Sequence, residues 1–194
     1  MANIDSAFGL IPIAKVGQNP NNGGLTRYDV GASQTTAIFT GDPVKYKNDG
    51  TVEVATATDA LLGVARGAFY TDPTTSKPTW SPYIPATTAT TDAKVFVCDD
   101  PMQTFIAQQD SVVSNIVAAN LNENANLIFN AGSTTTGVSG VEIDSSSVAD
   151  TATHQVRLID FWDVPDNDAT LDNSVLVIKI NNHKLMAHTG TQGV

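Results

Sequence analysis

The segments PVKYK and TVEVA alternate apolar and polar residues on either side of Asn48-Asp49-Gly50, and this arrangement commits residues 43–55 to a β-hairpin. Asp-Gly supplies the positive φ that a tight turn demands, and a period of two fits a half-buried strand but not a helix. Val44 and Tyr46 are then expected to share one face, and Val52 and Val54 another. The polar residues extend the constraint to the whole chain: 17 Asp stand against 3 Glu, beside 24 Thr and 15 Asn. Asp, Asn and Thr are poor to neutral inside helices and good in turns, caps and strand faces. The surface is therefore written in turns and strands.

Further strands are expected at LLGVARGAFY (61–70), AKVFVC (93–98), QTFIA (103–107), NLIF (126–129), HQVRLIDFW (154–162) and SVLVIKIN (174–181). The two glycines of the first suggest a bulge or a close backbone contact. SVVSNIVAAN (111–120) is the one helical stretch, with Val113, Ile116, Val117 and Asn120 at helical spacing and Asp110 or Ser111 as its cap. AGSTTTGVSGVEIDSSS (131–147) reads as an exposed, adaptable loop.

Three segments lie outside this regular pattern. Residues 1–24 carry the apolar run Phe8–Ile13 before the loop GQNPNNGG, and read either as a first strand or as an arm whose Phe8, Leu10, Ile11 and Ile13 dock on a neighbour. Residues 71–91 hold four prolines and eight threonines around Trp80, Tyr83 and Ile84, which suits a projecting hairpin with Asp72–Ser76 at its tip. The tail 185–194, starting at Leu185, has no pattern.

Charge and composition exclude several functions. With a net charge of −10, ten Lys and Arg and no basic cluster, nucleic acid is not an expected partner. No stretch approaches the roughly 20 apolar residues of a membrane span. The N-terminus lacks the basic region of a signal peptide. Cys98 stands alone, which removes an intrachain disulfide and any multi-cysteine metal site and suits a reducing cytosol.

Candidate chemistry is sparse. In DVPDNDATLD, Asp166, Asp168, Thr170 and Asp172 match positions 1, 3, 5 and 7 of a calcium loop, but Leu171 stands where its glycine belongs and Val177 where its glutamate belongs. A solvated interstrand turn is the expectation, with no metal and no cofactor. His183 and His188 lie five apart, missing the spacing of a helical zinc pair, and no G-x-S-x-G motif accompanies a histidine. Asp99 and Asp100 would point to opposite faces of a strand, so a turn explains them better than a carboxylate pair. Cys98 has no flanking cation to stabilise a thiolate. No catalytic residue is expected.

The order of these segments resembles a known group. AFGLIPIAKV, GDPVKYKNDGTVEVATATDALLGVARGAFYTDPTTSKPTWSPYIPA, KVFVCDDP, TTTGVSGVEIDSSS and VLVIKINNHK look like tailed-bacteriophage virion structural proteins, over Ala7 to Lys184. Within them GDPVK and DGTVEVATATDALLGVARGA are similar to the β-barrel of capsid decoration, or cement, proteins. The resemblance implies a non-enzymatic protein, made in the host cytoplasm, that binds the outer surface of the head as a homotrimer and stabilises contacts between major capsid protein subunits. The expected fold is mainly β: an arm (1–24), one barrel-like domain (25–184) with a short helix and the 71–91 projection, and a tail. The interface residues expected are Phe8, Leu10, Ile11, Ile13, Trp80, Tyr83, Ile84 and Leu185. A tail or neck component is the alternative among structural proteins. From another class comes a virion-surface carbohydrate-binding module, in which Trp80, Tyr83 and Trp162 would stack on sugars.

Overall fold

In the computed structural model, which describes residues 3–18, 24–32, 34–86, 91–111 and 116–186, the expected hairpin forms between β4 (Pro43–Tyr46) and β5 (Val52–Val54). Val44 lies opposite Val54 and Tyr46 opposite Val52. Directly opposed residues share a side of a sheet, so these four side chains occupy one face, not two, and that face packs on the core. The chain is mainly β throughout.

Around the hairpin the first half builds a six-stranded antiparallel sheet. β2 (Thr26–Asp29) pairs with β9 (Lys94–Cys98), β9 with the long β6 (Gly63–Thr71), and β6 with β4. β7 (Pro78–Ser81) returns along the far end of β6 through the turn 72–77, with Asp72–Ser76 at the tip as expected. A short pair, β3 (Ile38–Phe39) and β8 (Tyr83–Ile84), packs against β6. Residues 71–86 are thus paired into the body of the protein; 87–90 lie outside the described residues. One bridge, Val30 to Val52, joins the two ends of the sheet, but the described strands do not form a closed barrel.

The second half builds a five-stranded sheet in the order β1 (Ile11–Lys15), β10 (Gln103–Gln108), β15 (Val175–Ile180), β14 (Val156–Phe161) and β11 (Asn124–Ala125). Beside it stands the hairpin of β12 (Leu127–Ser133) and β13 (Val138–Ile143). Most of the segment expected as a loop, 131–147, is therefore strand, with Val141 and Ile143 in the core. Small polar residues concealed its alternation. Over its described residues the expected helix is also replaced. Val113 lies outside the described residues, Ile116 is a core residue, and Ala118–Asn120 is a single 3-10 turn. The side-chain oxygens of Gln109 and Asn120 accept the Ile116 and Val117 N–H groups at 2.8 and 3.0 Å, a local alternative to helical bonding. No α-helix occurs among the described residues, and none is long and apolar enough to cross a membrane.

Two apolar clusters fill the interior. One gathers Leu10, Phe105, Leu158, Leu176 and Ile178; the other gathers Val30, Ile38, Val44, Leu62, Ile84 and Val97. They adjoin along β6 and β9, where Val64 and Cys98 belong to the first and Ala65 and Val97 to the second, and Gly9 passes Gly41 in close backbone contact. The Leu10 N–H donates to the Gly41 carbonyl at 2.9 Å, and a Cβ on Gly9 would sit 2.5 Å from that oxygen and 2.6 Å from Ser139 Cβ. With φ at +71° as well, only glycine fits position 9. Leu10 is fully buried and Ile11–Lys15 pairs with β10, so the apolar N-terminal run is a strand of the chain's own sheet. Pro12 is tolerated because β1 is an edge strand, and a bulge follows it.

Two titratable side chains are buried, Asp42 next to Gly41 and His183 bridged to Leu61. Burial pushes the Asp42 carboxyl up from 3.8 to about 6, against donation from Ser139 and from the Phe39 N–H at 2.7 Å. Burial pulls His183 down from 6.5 to about 4; its Nδ1 accepts from the Leu185 N–H at 3.1 Å, and its Nε2 has no partner among the described residues.

Two outcomes follow from this packing. Leu10→Ala should cost about 2–5 kcal/mol of stability, and deleting residues 1–16 should lower the thermal midpoint further. An unchanged midpoint in the deletion would detach β1 from the core. The second outcome concerns pH. Asp42 holds its proton more tightly folded than unfolded, so its contribution is greatest at low pH and declines as pH rises from 3.8 through about 6. His183 binds its proton less tightly folded, so its contribution is complete above 6.5 and declines as pH falls toward about 4. The two oppose one another across the same window. Asp42→Asn should therefore gain about 2 kcal/mol relative to the parent on going from pH 4 to pH 7, and His183→Asn should show the reverse trend. Denaturant titrations across pH test this, and parallel curves for parent and variants would refute it.

Candidate interaction face

Three aromatic rings meet on the outer surface of the six-stranded sheet because β6 is interrupted. Its pairing with β9 shifts between Ala65 and Ala68, leaving Arg66 and Gly67 in a bulge of the kind its two glycines suggest. Trp80 on β7 lies opposite Phe69 on β6, the two rings tilted at 58° with centroids 5.2 Å apart. Trp80 also stacks on Phe96 of β9 at 5.0 Å and 25°. β7 and β9 flank β6 on opposite sides, so this contact must pass over β6. Gly67, at φ +150° and without a side chain, leaves the passage open; a Cβ there would meet only the Ser81 carbonyl at 3.8 Å.

The stacking does not cover the ring. Trp80 remains 69% exposed and Leu25 45%. Together with Thr40, Arg66, Pro82 and Phe96 they line a groove of about 490 Å³. Arg66 is half-buried, and burial lowers its guanidinium from the ordinary value, although arginine stays charged. Arg27 on β2 lies opposite Phe96. Among the described residues neither arginine has an ion-pair partner, whereas the adjacent Lys94 is paired with Asp29. An acidic chain thus presents one face that is aromatic and cationic.

The eight residues expected at an interface are not gathered into one surface. Leu10 and Ile84 are buried in the two cores, where they cannot meet a partner. Ile11 and Ile13 are half-buried on β1, and Phe8 is half-buried beside Ser139 and Gly140. Tyr83 stacks on Phe39 at 5.2 Å and 13°. Only Trp80 and Leu185, the latter 50% exposed, are largely open to solvent. The sequence reading missed Leu25, Arg66, Gly67, Phe69 and Phe96. The signal was present in part: alternation along AKVFVC puts Phe96 on the side opposite the buried Val95 and Val97.

Several other polar groups make local structural contacts. The Asp99 carboxylate accepts from Thr26 and Tyr28 at 3.0 and 2.6 Å. Asp100 is held low by Lys15, 2.6 Å away, and accepts the Met102 N–H. Asp168 is held low by Thr170, whose hydroxyl and N–H both donate to it at 2.6 and 3.0 Å. Cys98 is buried, and burial pushes its thiol up. Among the described residues no group of three or more His, Cys, Asp or Glu is placed to hold a metal ion. Trp162 is half-buried at the end of β14, and His188 lies outside the described residues. Comparison with family models, curated proteins and solved structures finds no match to this chain.

Proposed function

We propose that the protein is a non-enzymatic decoration, or cement, protein of a tailed-bacteriophage head, which binds the outer surface of the shell and stabilises contacts between major capsid protein subunits. The observation that carries this reading is the aromatic face: a mostly exposed tryptophan, held rigidly by two neighbouring rings on a sheet, is the kind of anchor around which protein interfaces concentrate their energy. The ordered resemblance over residues 7–184 points the same way. So does a net charge of −10, which keeps such a surface off packaged DNA. A barrel-like core belongs to this reading and is supported by the Val30–Val52 bridge. So does a homotrimer, because a closed oligomer ties several shell subunits together and multiplies weak contacts through effective concentration.

The residues assigned to the contact are Trp80 with Leu25, Arg66 and Phe96, and Leu185 at a second position. The half-buried Phe8, Ile11, Ile13 and Tyr83 could contribute only at the margin, and Leu10 and Ile84 are withdrawn. Heads lacking the protein should lose DNA at lower temperature or on osmotic shock, and purified protein should restore resistance in a saturable way. Trp80→Ala should keep its thermal midpoint within a few degrees of the parent and bind heads at least tenfold more weakly. Equal resistance of bare and decorated heads would remove the cementing role. Saturable binding of Trp80-dependent glycans in place of heads would favour the carbohydrate reading.

A further inference from the structure

A cavity of about 610 Å³ lies between the two halves of the chain. Phe39, Val54 and Ala55 line it from the first half, and the opposed pair Phe129 and Val141 of the β12–β13 hairpin lines it from the second. One wall is fixed in advance: the Phe39 ring stacks on Tyr83 and lies against Gly132, where a Cβ would come within 2.5 Å of it. The exposed Thr35 and Thr134 mark where the cavity opens to solvent. Among the described residues Asp42, itself only 4% exposed, is the one ionisable side chain in its lining. The Asp42 carboxyl accepts the Phe39 N–H at 2.7 Å and a bond from Ser139, yet no Lys, Arg or His pairs with it among the described residues.

We infer that this cavity binds a small organic amine, an ammonium group carried on a single ring or short hydrocarbon body, with the ammonium on Asp42 and the body among Phe39, Val54, Phe129 and Val141. An apolar concavity with one well-placed polar group is the common anatomy of a small-molecule site, and the volume is of that order. A carboxylate withdrawn from water without a counter-charge is unfavourable. An ammonium neutralises it and adds a charge-assisted hydrogen bond, whereas an alcohol or amide offers the weaker neutral bond. Anionic ligands would meet a like charge in an apolar surround. A calcium ion is also a poor match, because these walls do not supply the oxygen ligands it requires. Aromatic rings attract cations, and two line the cavity. At a net charge of −10 the chain draws cations towards itself. Burial raises the Asp42 carboxyl to about 6, so the cavity is charged at neutral pH and loses that charge in mild acid. No element lining the cavity brings a second titratable side chain to it among the described residues, so the pH response of binding belongs to Asp42. The cavity shares no lining residue with the Trp80 groove, and the inference is independent of what that groove binds.

The test is titration of the full chain with phenethylamine at physiological salt, followed by calorimetry and by the methyl resonances of the protein. Binding at pH 7 should be saturable and should move the methyl signals of Val54 and Val141. Phenethyl alcohol, which keeps the shape without the charge, and ethylamine, which keeps the charge without the ring, should each bind about tenfold more weakly or worse. From pH 7 to pH 5 the amine affinity should fall about tenfold as Asp42 takes up its proton, while the alcohol affinity should not fall. Asp42→Asn retains an oxygen for the Phe39 N–H and should bind amine no better than alcohol. Should that variant not fold, the pH response of the parent and its methyl shifts decide. Absence of saturable binding at millimolar amine overturns the proposal, as do equal affinities for amine and alcohol, an amine affinity level across pH, or full affinity in a folded Asp42→Asn. Saturable binding that leaves Val54 and Val141 unmoved places the amine elsewhere and also overturns it. Tighter binding of Nα-acetyl-lysine amide than of phenethylamine overturns the small-ligand assignment and gives the cavity to a lysine side chain of another protein.

Discussion

The crossing of Gly9 over Gly41 is the contact on which the architecture depends. Three stretches of backbone converge there: the entry to β1, the turn between β3 and β4, and the start of β13, whose Ser139 N–H donates to the Thr40 carbonyl. Each belongs to a different sheet, and no side chain separates the first two. Leu10 leaves the crossing into one core, and Val44, three residues after Gly41, enters the other. Close packing on both sides then transmits any displacement at the crossing into both clusters. The buried Asp42 beside it is part of the same arrangement, because its carboxylate holds the turn by accepting the Phe39 N–H.

The excess of Asp over Glu has a geometric cause in this fold. In the turn after β4, the carboxylate of Asp49 accepts both the N–H and the hydroxyl of Thr51, two residues on. Asp168 repeats the arrangement with Thr170, and Asp144 does so with Ser146; Asp72 accepts the N–H of Thr74. A carboxylate one methylene from the backbone reaches the donor two residues ahead without strain, whereas a glutamate must coil its longer side chain. The acidic surface is thus the by-product of turn construction as much as of a need for charge.

What could be read in the sequence was what local chemistry determines. The Asn48-Asp49-Gly50 turn, the bulge in LLGVARGAFY and the long closing strands β14 and β15 each carry their cause within a few residues. Residues 131–147 form strands where their composition predicts a loop, because glycine, serine and threonine fill a hairpin whose burial comes from elsewhere: Gly132 accommodates the ring of Phe39, nearly a hundred residues away. The helical spacing of Val113, Ile116 and Val117 was genuine, but the Gln109 side chain captures a backbone donor that a helix would need. The aromatic face was half legible. Trp80 stands out in the sequence as a large ring among prolines, while Phe96 and Phe69 read as ordinary strand residues, since nothing local reveals that a ring crosses β6 at Gly67.

The borders of the five-stranded sheet bear on how densely such a protein can be crowded. One border is β1, which carries Pro12 and a bulge; the other is β11, only two residues long. Neither offers the long, flat row of unpaired amides on which a foreign strand could be templated. Copies brought side by side in great numbers would meet through side chains and not through backbone, and cross-β conversion would find no starting edge on this sheet. A chain dominated by strands and threonine thus closes this sheet against strand addition at both borders.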